Sequence, residues 1–172
     1  MPPQFLHNRG QARFQELDPT ELGPYFQQRY RGRGLARIDW NRDGREDFVV
    51  SHLDTPVSLL TNQTRKQGNY LVVQLVGTTS SRDAIGSRVT IKQGDQTWTA
   101  QLTAGDGYQA SNQRQLVFGI GDVSQVDQLK VDWISGTTQS FKSPPVNSEI
   151  RIVEGNPTHV RLPNSTRSMP RD

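Results

Sequence analysis

The stretch Tyr70-Leu71-Val72-Val73-Gln74-Leu75-Val76 decides the fold class of this sequence. Leu71, Val73 and Leu75 recur at every second position, the pattern of a β-strand with one face in a core. Similar short runs, separated by turn residues, follow at Arg88–Lys92, Thr97–Thr103, Leu116–Ile120, Leu129–Trp133, Gln139–Phe141 and Ile150–Ile152. Frequent short strands with no long helix predict an all-β protein built as a sandwich or barrel.

Two kinds of signal lie upstream of this stretch. Short apolar runs bounded by Gly, Asp and Pro predict strands at Leu35–Trp40, Phe48–His52 and Val57–Asn62. Asp18-Pro19-Thr20-Glu21 combines a capping residue, a proline at the first helical position and a glutamate at the third, which predicts a helix start. Because Gly23-Pro24 interrupts it, only a short helical turn and a segment over Tyr25–Tyr30 are expected.

The composition limits the classes of function. The chain of 172 residues is 32% hydrophobic and has no cysteine, which excludes a disulfide scaffold, a Cys-ligated zinc site and a thiol nucleophile. No run approaches the roughly 18 apolar residues of a membrane-spanning helix, so no membrane insertion is expected. The net charge is +3, and the aromatic residues do not alternate with a basic stripe, so no nucleic-acid partner is expected.

The sharpest chemical pattern is the acidic loop Asp39-Trp40-Asn41-Arg42-Asp43-Gly44-Arg45-Glu46-Asp47. Oxygen-bearing side chains stand at its first, third, fifth and ninth positions, and a glycine at the sixth permits the bend that returns Asp47 towards Asp39. Ca²⁺ takes six to eight oxygen ligands, which alternate residues of a tight loop can supply. The predicted ligands are Asp39, Asn41, Asp43, the backbone carbonyl of Arg45, and Asp47.

Two features qualify this prediction of a Ca²⁺ site. An EF-hand has a glutamate at the twelfth position, where this chain has Val50 in a strand-like run. The loop is therefore EF-like but lies between strands. The alternative is an Asp/Asn/Gly turn whose side chains bond their own backbone. Mg²⁺ is the weaker candidate cation because it prefers to keep its waters.

Arginines crowd around the acidic loop. They are Arg29, Arg31, Arg33, Arg37, Arg42 and Arg45. One interpretation is an anion-binding face, for instance for an acidic polysaccharide. The favoured interpretation is a solvated face whose charges offset the carboxylates.

Residues 34–50, which contain the acidic loop, resemble an FG-GAP (VCBS) repeat, the calcium-loop blade unit of integrin-like β-propellers. The flanking sequence agrees, since Leu59-Leu60-Thr61-Asn62 is similar to the tail of this repeat. His7-Asn8-Arg9-Gly10, followed by Phe14, is similar to the tail of a preceding repeat.

Residues 69–89 resemble the opening of an ASPIC/UnbV domain. Three further motifs occur in the expected order: Gly105-Asp106-Gly107-Tyr108, Leu116-Val-Phe118-Gly119-Ile-Gly121, and residues 126–136 from Val126 to Gly136. The resulting expectation has four parts. A polar segment (1–34) precedes an FG-GAP-like repeat (35–62), an ASPIC/UnbV-like β-sandwich (69–153) and a disordered tail (154–172).

The resemblance implies a function without a reaction. Secreted proteins similar to cartilage acidic protein carry an FG-GAP propeller followed by this domain. We therefore expect a non-enzymatic, extracellular, calcium-binding adhesion module, the C-terminal part of a larger propeller protein, with a protein or surface glycan as partner. The alternative is a carbohydrate-binding accessory domain of a polysaccharide-processing enzyme.

Other candidate residues support catalysis poorly. Ser51, His52 and Asp54 are close in sequence, but strand neighbours point to opposite faces, and no nucleophile elbow, phosphate loop or zinc-protease motif is present.

Tyr108 is interpreted as a packing aromatic in a tight turn, with sugar stacking as the alternative. Trp98 and Trp133 lie in alternating strands and are expected in the core.

Overall fold

The computed structural model describes residues 2–65 and 68–163, and the regular secondary structure within those ranges is almost entirely β-strand. Its strands are β1 (Leu6–Asn8), β2 (Phe14–Glu16), β3 (Gly32–Ile38), β4 (Asp47–His52), β5 (Ser58–Leu60), β6 (Asn69–Val76), β7 (Arg88–Gln93), β8 (Gln96–Gln101), β9 (Leu116–Gly121), β10 (Gln128–Asp132), β11 (Thr138–Lys142), β12 (Ser148–Val153) and β13 (His159–Leu162). The prediction of an all-β chain is confirmed.

Two four-stranded sheets form a sandwich-like fold over the C-terminal part of the chain. Their strand orders are β11-β10-β7-β8 and β13-β12-β6-β9. The inward-facing side chains of both sheets form one buried core that includes Leu71, Val73, Ile91, Leu129 and Ile150. Period-2 alternation produced this arrangement, because every second residue of each strand faces the other sheet. The prediction of a sandwich-like arrangement of sheets is confirmed.

Strand β6 is an interior strand of its sheet. It pairs in parallel with β12 and antiparallel with β9. Leu71 and Val73 are fully buried and Leu75 is 5% exposed. An interior strand with one face in the core explains why this stretch is the most apolar run of the sequence.

A separate three-stranded sheet, β3-β4-β5, precedes the sandwich. Residues 107–115, the later part of the connection from β8 to β9, run along the outer edge of β3. The backbone N–H of Gln113 donates to the Arg37 carbonyl at 2.9 Å, and Arg37 N–H donates to Asn112 Oδ1 at 2.8 Å. The Asp39 N–H donates to Gln113 Oε1 at 2.8 Å. A loop of the sandwich therefore covers this edge of the small sheet.

The N-terminal segment contains the predicted helix start and an unpredicted hairpin. Asp18 caps the helix α1 (Pro19–Leu22), with its side chain accepting the Thr20 N–H at 2.8 Å. A 3₁₀ turn follows over Pro24–Gln27. Strands β1 and β2 pair antiparallel in the region interpreted as the tail of a preceding repeat.

The prediction of a disordered tail beginning at residue 154 is wrong for residues 154–162. Strand β13 pairs antiparallel with β12, with His159 opposite Ile152. The His159 ring also packs edge-on against Phe141, with 5.8 Å between the ring centroids. The remaining part of the predicted tail, 164–172, lies outside the described residues.

Candidate functional site: the acidic loop

The acidic loop connects β3 to β4, and its backbone bends as the sequence requires. Arg42 (φ +57°) and Gly44 (φ +83°) both have left-handed conformations. This turn brings Asp47 next to Ile38 in the β3–β4 pairing. The Trp40 N–H then donates to Asp47 Oδ2 at 3.3 Å. The predicted return of Asp47 to the start of the loop is therefore present.

Side-chain oxygens of the first, third and fifth loop positions converge on the turn. The Asp43 N–H lies 3.0 Å from Asp39 Oδ1 and 3.2 Å from Asn41 Oδ1. Asp39 Oδ2 accepts the Gly44 N–H at 2.9 Å, and Asp43 Oδ1 accepts the Arg45 N–H at 2.9 Å. The carboxylates thus bond the backbone of their own loop, which is the arrangement of the turn alternative.

Asp47 joins the loop to the end of the small sheet. It is 1% exposed, and its Oδ1 accepts the Asn62 N–H at 2.7 Å. The Asn62 side chain donates back to the Glu46 carbonyl at 3.3 Å, and Trp40 Nε1 donates to Thr61 Oγ1 at 3.0 Å. Residues 61–62 therefore attach the loop to the segment that follows β5.

Burial raises the pKa of both Asp39 and Asp47. For each carboxyl the desolvation outweighs the backbone N–H groups that lower its pKa, and the negative charge of Asp43 adds a further increase. Asp39 is 5% exposed, so its charge is held in a region that water screens poorly. Burial therefore makes ionisation of Asp39 and Asp47 less favourable than in water.

Four of the six arginines near the loop have carboxylate partners. Arg45 pairs with Asp43 inside the loop, and Arg42 pairs with Glu149 of β12 at 2.5 Å. Arg37 contacts Glu46, and Arg31 contacts Asp54, both on the surface. These pairs support the interpretation that the arginines offset nearby acidic charge.

The structure brings together Asp39, Asn41 and Asp43 of the predicted ligands, with Asp47 next to them. Arg45 enters the loop through its guanidinium, which contacts Asp43 and the Asn62 carbonyl, whereas the sequence interpretation used its backbone carbonyl. In residues 2–65 and 68–163 no group of three or more His, Cys, Asp or Glu side chains is arranged to hold a metal ion. The ligand set stays a prediction.

Two sandwich residues that the sequence did not indicate lie against the loop. The Tyr70 ring of β6 packs directly on the Gly44 backbone. Burial raises the pKa of the Tyr70 hydroxyl, and the charges of Asp39 and Asp43 raise it further. Glu149, 7% exposed, accepts hydrogen bonds from Arg42 and from Gln74 of β6. In the sequence, the feature that distinguishes Glu149 is its charge next to the apolar Ile150.

The remaining candidates of the sequence are separate from the loop. Ser51 Oγ accepts the Gly34 N–H at 3.0 Å, whereas His52 Nε2 lies 3.0 Å from the Tyr25 hydroxyl, so the two side chains do not converge.

Trp133 is 3% exposed and belongs to the core, as expected. Tyr108 is 66% exposed, so its interpretation as a packing aromatic is wrong.

A second polar cluster surrounds Glu154, which is 5% exposed. One of its oxygens, Oε2, accepts the backbone N–H groups of Thr78, Thr79 and Ser80 at 2.6–2.9 Å. Its Oε1 accepts the hydroxyls of Ser80 and Ser135 at 2.9 and 2.5 Å. Burial raises the pKa of this carboxyl, but these hydrogen bonds outweigh burial and lower it to about 2. Glu154 therefore holds the 78–80 loop against the turn after β10.

Comparison with known proteins matches most of the sandwich to one family model and does not cover the acidic loop. The family model described as ASPIC and UnbV matches residues 77–159, a segment from the end of β6 to the start of β13. The ASPIC/UnbV part of the predicted resemblance is confirmed. The match begins after the β3-β4-β5 sheet, so the FG-GAP repeat stays a prediction. No curated protein matches the sequence.

In residues 2–65 and 68–163, none of the helices is long and apolar enough to cross a membrane.

Proposed function

We propose that this chain is a non-enzymatic, extracellular interaction module that binds Ca²⁺ in the acidic loop and carries its partner-binding surface on the ASPIC/UnbV sandwich. In this proposal β3-β4-β5 is an FG-GAP-like blade belonging to a larger propeller protein. The observation that carries the proposal is the convergence of Asp39, Asn41 and Asp43 on one turn next to the buried Asp47.

The donor set fits a hard divalent cation. Carboxylate and amide oxygens are the ligands that Ca²⁺ prefers, and flexible geometry is acceptable to it. Burial raises the pKa of Asp39 and of Asp47, and the charges of neighbouring loop carboxylates raise both further. The guanidinium of Arg45 offsets only part of this charge. A bound cation would remove the repulsion and release the carboxylates from the loop's own N–H groups.

The loop is also placed to affect the sandwich. Gly44 and Arg42 of the loop contact Tyr70 and Glu149 of the two central strands β6 and β12. A cation that orders the loop would therefore order the junction between the small sheet and the sandwich. This is the expected role of Ca²⁺ in a module without disulfides.

Calorimetric titration with Ca²⁺ tests the proposal. The wild-type chain is expected to bind one Ca²⁺ with a Kd of roughly 10⁻⁴–10⁻³ M, the range of extracellular modules. Asp43→Ala should lose this binding, and Asp83→Ala, which removes an exposed carboxylate outside the loop, should retain it. Absence of binding by the wild type, or equal binding by the wild type and Asp43→Ala, would reject the calcium site.

Luminescence of Tb³⁺ gives a local readout of the same site. Trp40 lies within the loop and Tyr70 packs against it, so both rings are near enough to transfer excitation energy to a bound ion. Tb³⁺ emission excited through the aromatic residues should decrease as Ca²⁺ is added. Emission that Ca²⁺ does not displace would place the ion elsewhere.

A further inference from the structure

A groove lies at the open side of the sandwich, between the edge strands β8 and β9. Each of these strands ends its sheet, and the two strands approach one another there. The groove is an open, shallow depression of about 510 Å³, lined by Gln96 and Trp98 of β8, Gly119 and Gly121 of β9, and the following Asp122 and Val123. It is distinct from the acidic loop, which contacts β6 and β12.

Trp98 is the aromatic surface of this groove. It lies opposite Ile91 in the β7–β8 pairing and packs against the core, as the sequence predicted. The same side chain is only partly buried and also lines the groove. Its Nε1–H donates to no acceptor among residues 2–65 and 68–163, in contrast to Trp40, which donates to Thr61. The indole therefore offers both a ring surface and a hydrogen-bond donor.

Polar groups stand beside the indole. Asp122 and Gln96 are exposed, and neither side chain forms a hydrogen bond or ion pair with any described residue. Gln93, which pairs with Gln96 across the hairpin, has a buried Oε1 with no partner in the described part of the chain. Gln93 itself is not among the residues that line the groove.

The backbone of β9 leaves room for a ligand. Gly119 and Gly121 bring no side chain to the groove, and a Cβ at either position would meet no atom within 4 Å. The groove is thus shallow and wide, with an aromatic floor and polar groups at its rim. Small-ligand sites commonly combine apolar contact area with a few oriented polar groups.

We propose that this groove binds a neutral saccharide. A pyranose ring would lie with its C–H face on Trp98, and its hydroxyls would donate to Asp122 and exchange hydrogen bonds with Gln96. No basic side chain lines the groove among the described residues, and the Asp122 carboxylate would repel a uronate or sulfate, so acidic glycans are excluded as ligands. This inference rests on the proposed interaction function and names its partner class, but it uses no residue of the calcium loop.

Binding can be followed on the indole signals of the ¹⁵N-labelled chain. The protein has three tryptophans, so three indole N–H signals are expected, and Trp98→Phe assigns the one from Trp98. Neutral oligosaccharides of glucose, mannose, galactose and xylose are titrated at millimolar concentrations, alongside hyaluronan and heparin fragments as acidic probes. A neutral oligosaccharide should shift the Trp98 signal and leave the Trp133 signal in place.

Three variants separate a binding role from a structural one. Trp98→Ala and Asp122→Ala should each weaken binding of that oligosaccharide at least tenfold. Thr97→Ala, on the outward face of the same strand, should bind like the wild type. Because Trp98 also packs on the core, Asp122→Ala provides the test if Trp98→Ala fails to fold.

The outcomes are distinguishable from those of the calcium experiment. If no neutral oligosaccharide shifts the Trp98 signal, or if binding survives Asp122→Ala and Trp98→Ala, the groove proposal is rejected, even when Ca²⁺ titration succeeds. Preferential binding of the acidic fragments would also reject it. Asp43→Ala should lose the calcium site but keep the groove. Sugar binding that persists in this variant would therefore support the groove independently of Ca²⁺.

Discussion

The aromatic ring of Tyr70 lies directly on the backbone of Gly44, so the sandwich and the acidic loop meet without a side chain between them. Gly44 also has φ +83°, a conformation that residues with a Cβ rarely adopt. Two independent constraints therefore require glycine at the sixth position of the loop.

Gly44→Ala is expected to destabilise the protein by about 2–4 kcal/mol, because backbone strain and overpacking against Tyr70 add. Gly94→Ala is the matched control. Gly94 has φ +51°, but a Cβ there would meet nothing within 4 Å, so only the strain of about 1 kcal/mol should appear. Chemical denaturation measures both values. Equal losses in the two variants would show that Tyr70 does not restrict the loop.

Arg42→Met should cost about 2 kcal/mol of stability, because it leaves the Glu149 carboxylate buried with Gln74 as its one remaining side-chain partner among the described residues. The Arg42 and Glu149 side chains are 29% and 8% exposed, whereas those of Arg31 and Asp54 are 72% and 43% exposed. Arg31→Met is therefore the control, and its loss should stay within about 0.5 kcal/mol. Thermal denaturation of both variants checks the difference; a loss for Arg42→Met no larger than that of the control would contradict it.

Glu154 is expected to make stability depend on pH in the acid range. Its folded pKa of about 2 lies below its ordinary value of 4.5. The stabilisation is therefore fully present above pH 4.5 and is lost as the pH falls towards 2. Glu154→Gln should lower Tm at pH 7, and the gap between variant and wild type should narrow on acidification. A gap that is constant between pH 7 and pH 3 would contradict this account.

Asp39 and Asp47 act in the opposite direction. Their folded pKa values are raised, so the metal-free protein gains stability from them as the pH falls and loses it as they ionise. Protons then compete with Ca²⁺ at the loop, and the proposed affinity should fall on acidification. Calorimetric titrations of Ca²⁺ at pH 7 and pH 5 measure this change; an affinity that rises towards pH 5 would be inconsistent with these ligands.

Saturation with Ca²⁺ should stabilise the folded chain. At a free concentration of 100 Kd the stabilisation is about 2.7 kcal/mol, which corresponds to roughly 5–10 °C in Tm for a chain of this size. EDTA should reverse the shift, and Asp43→Ala should show none. A Tm that responds equally in the wild type and in Asp43→Ala would indicate nonspecific ion effects.

Local patterns predicted the strands but not the contacts between distant segments. Leu71, Val73 and Leu75 specify their strand because alternation alone decides which face is buried. Gly44 likewise marks the loop bend through its own backbone freedom. By contrast, Glu149 follows Arg42 by 107 residues, and no local pattern connects them. Strand β13 was missed because His159–Leu162 is held by its pairing with β12, a tertiary effect on a polar segment.

The loop that covers β3 has a consequence for self-association. An exposed strand edge is a template for adding another chain, and a sheet with two open edges can extend without limit. Gln113 and Asn112 occupy the hydrogen-bonding groups of Arg37 and Asp39 on one side. The other edge strand of the small sheet is β5. Two copies that joined through β5 would form a closed pair, so fibre growth through this sheet would stop at two molecules.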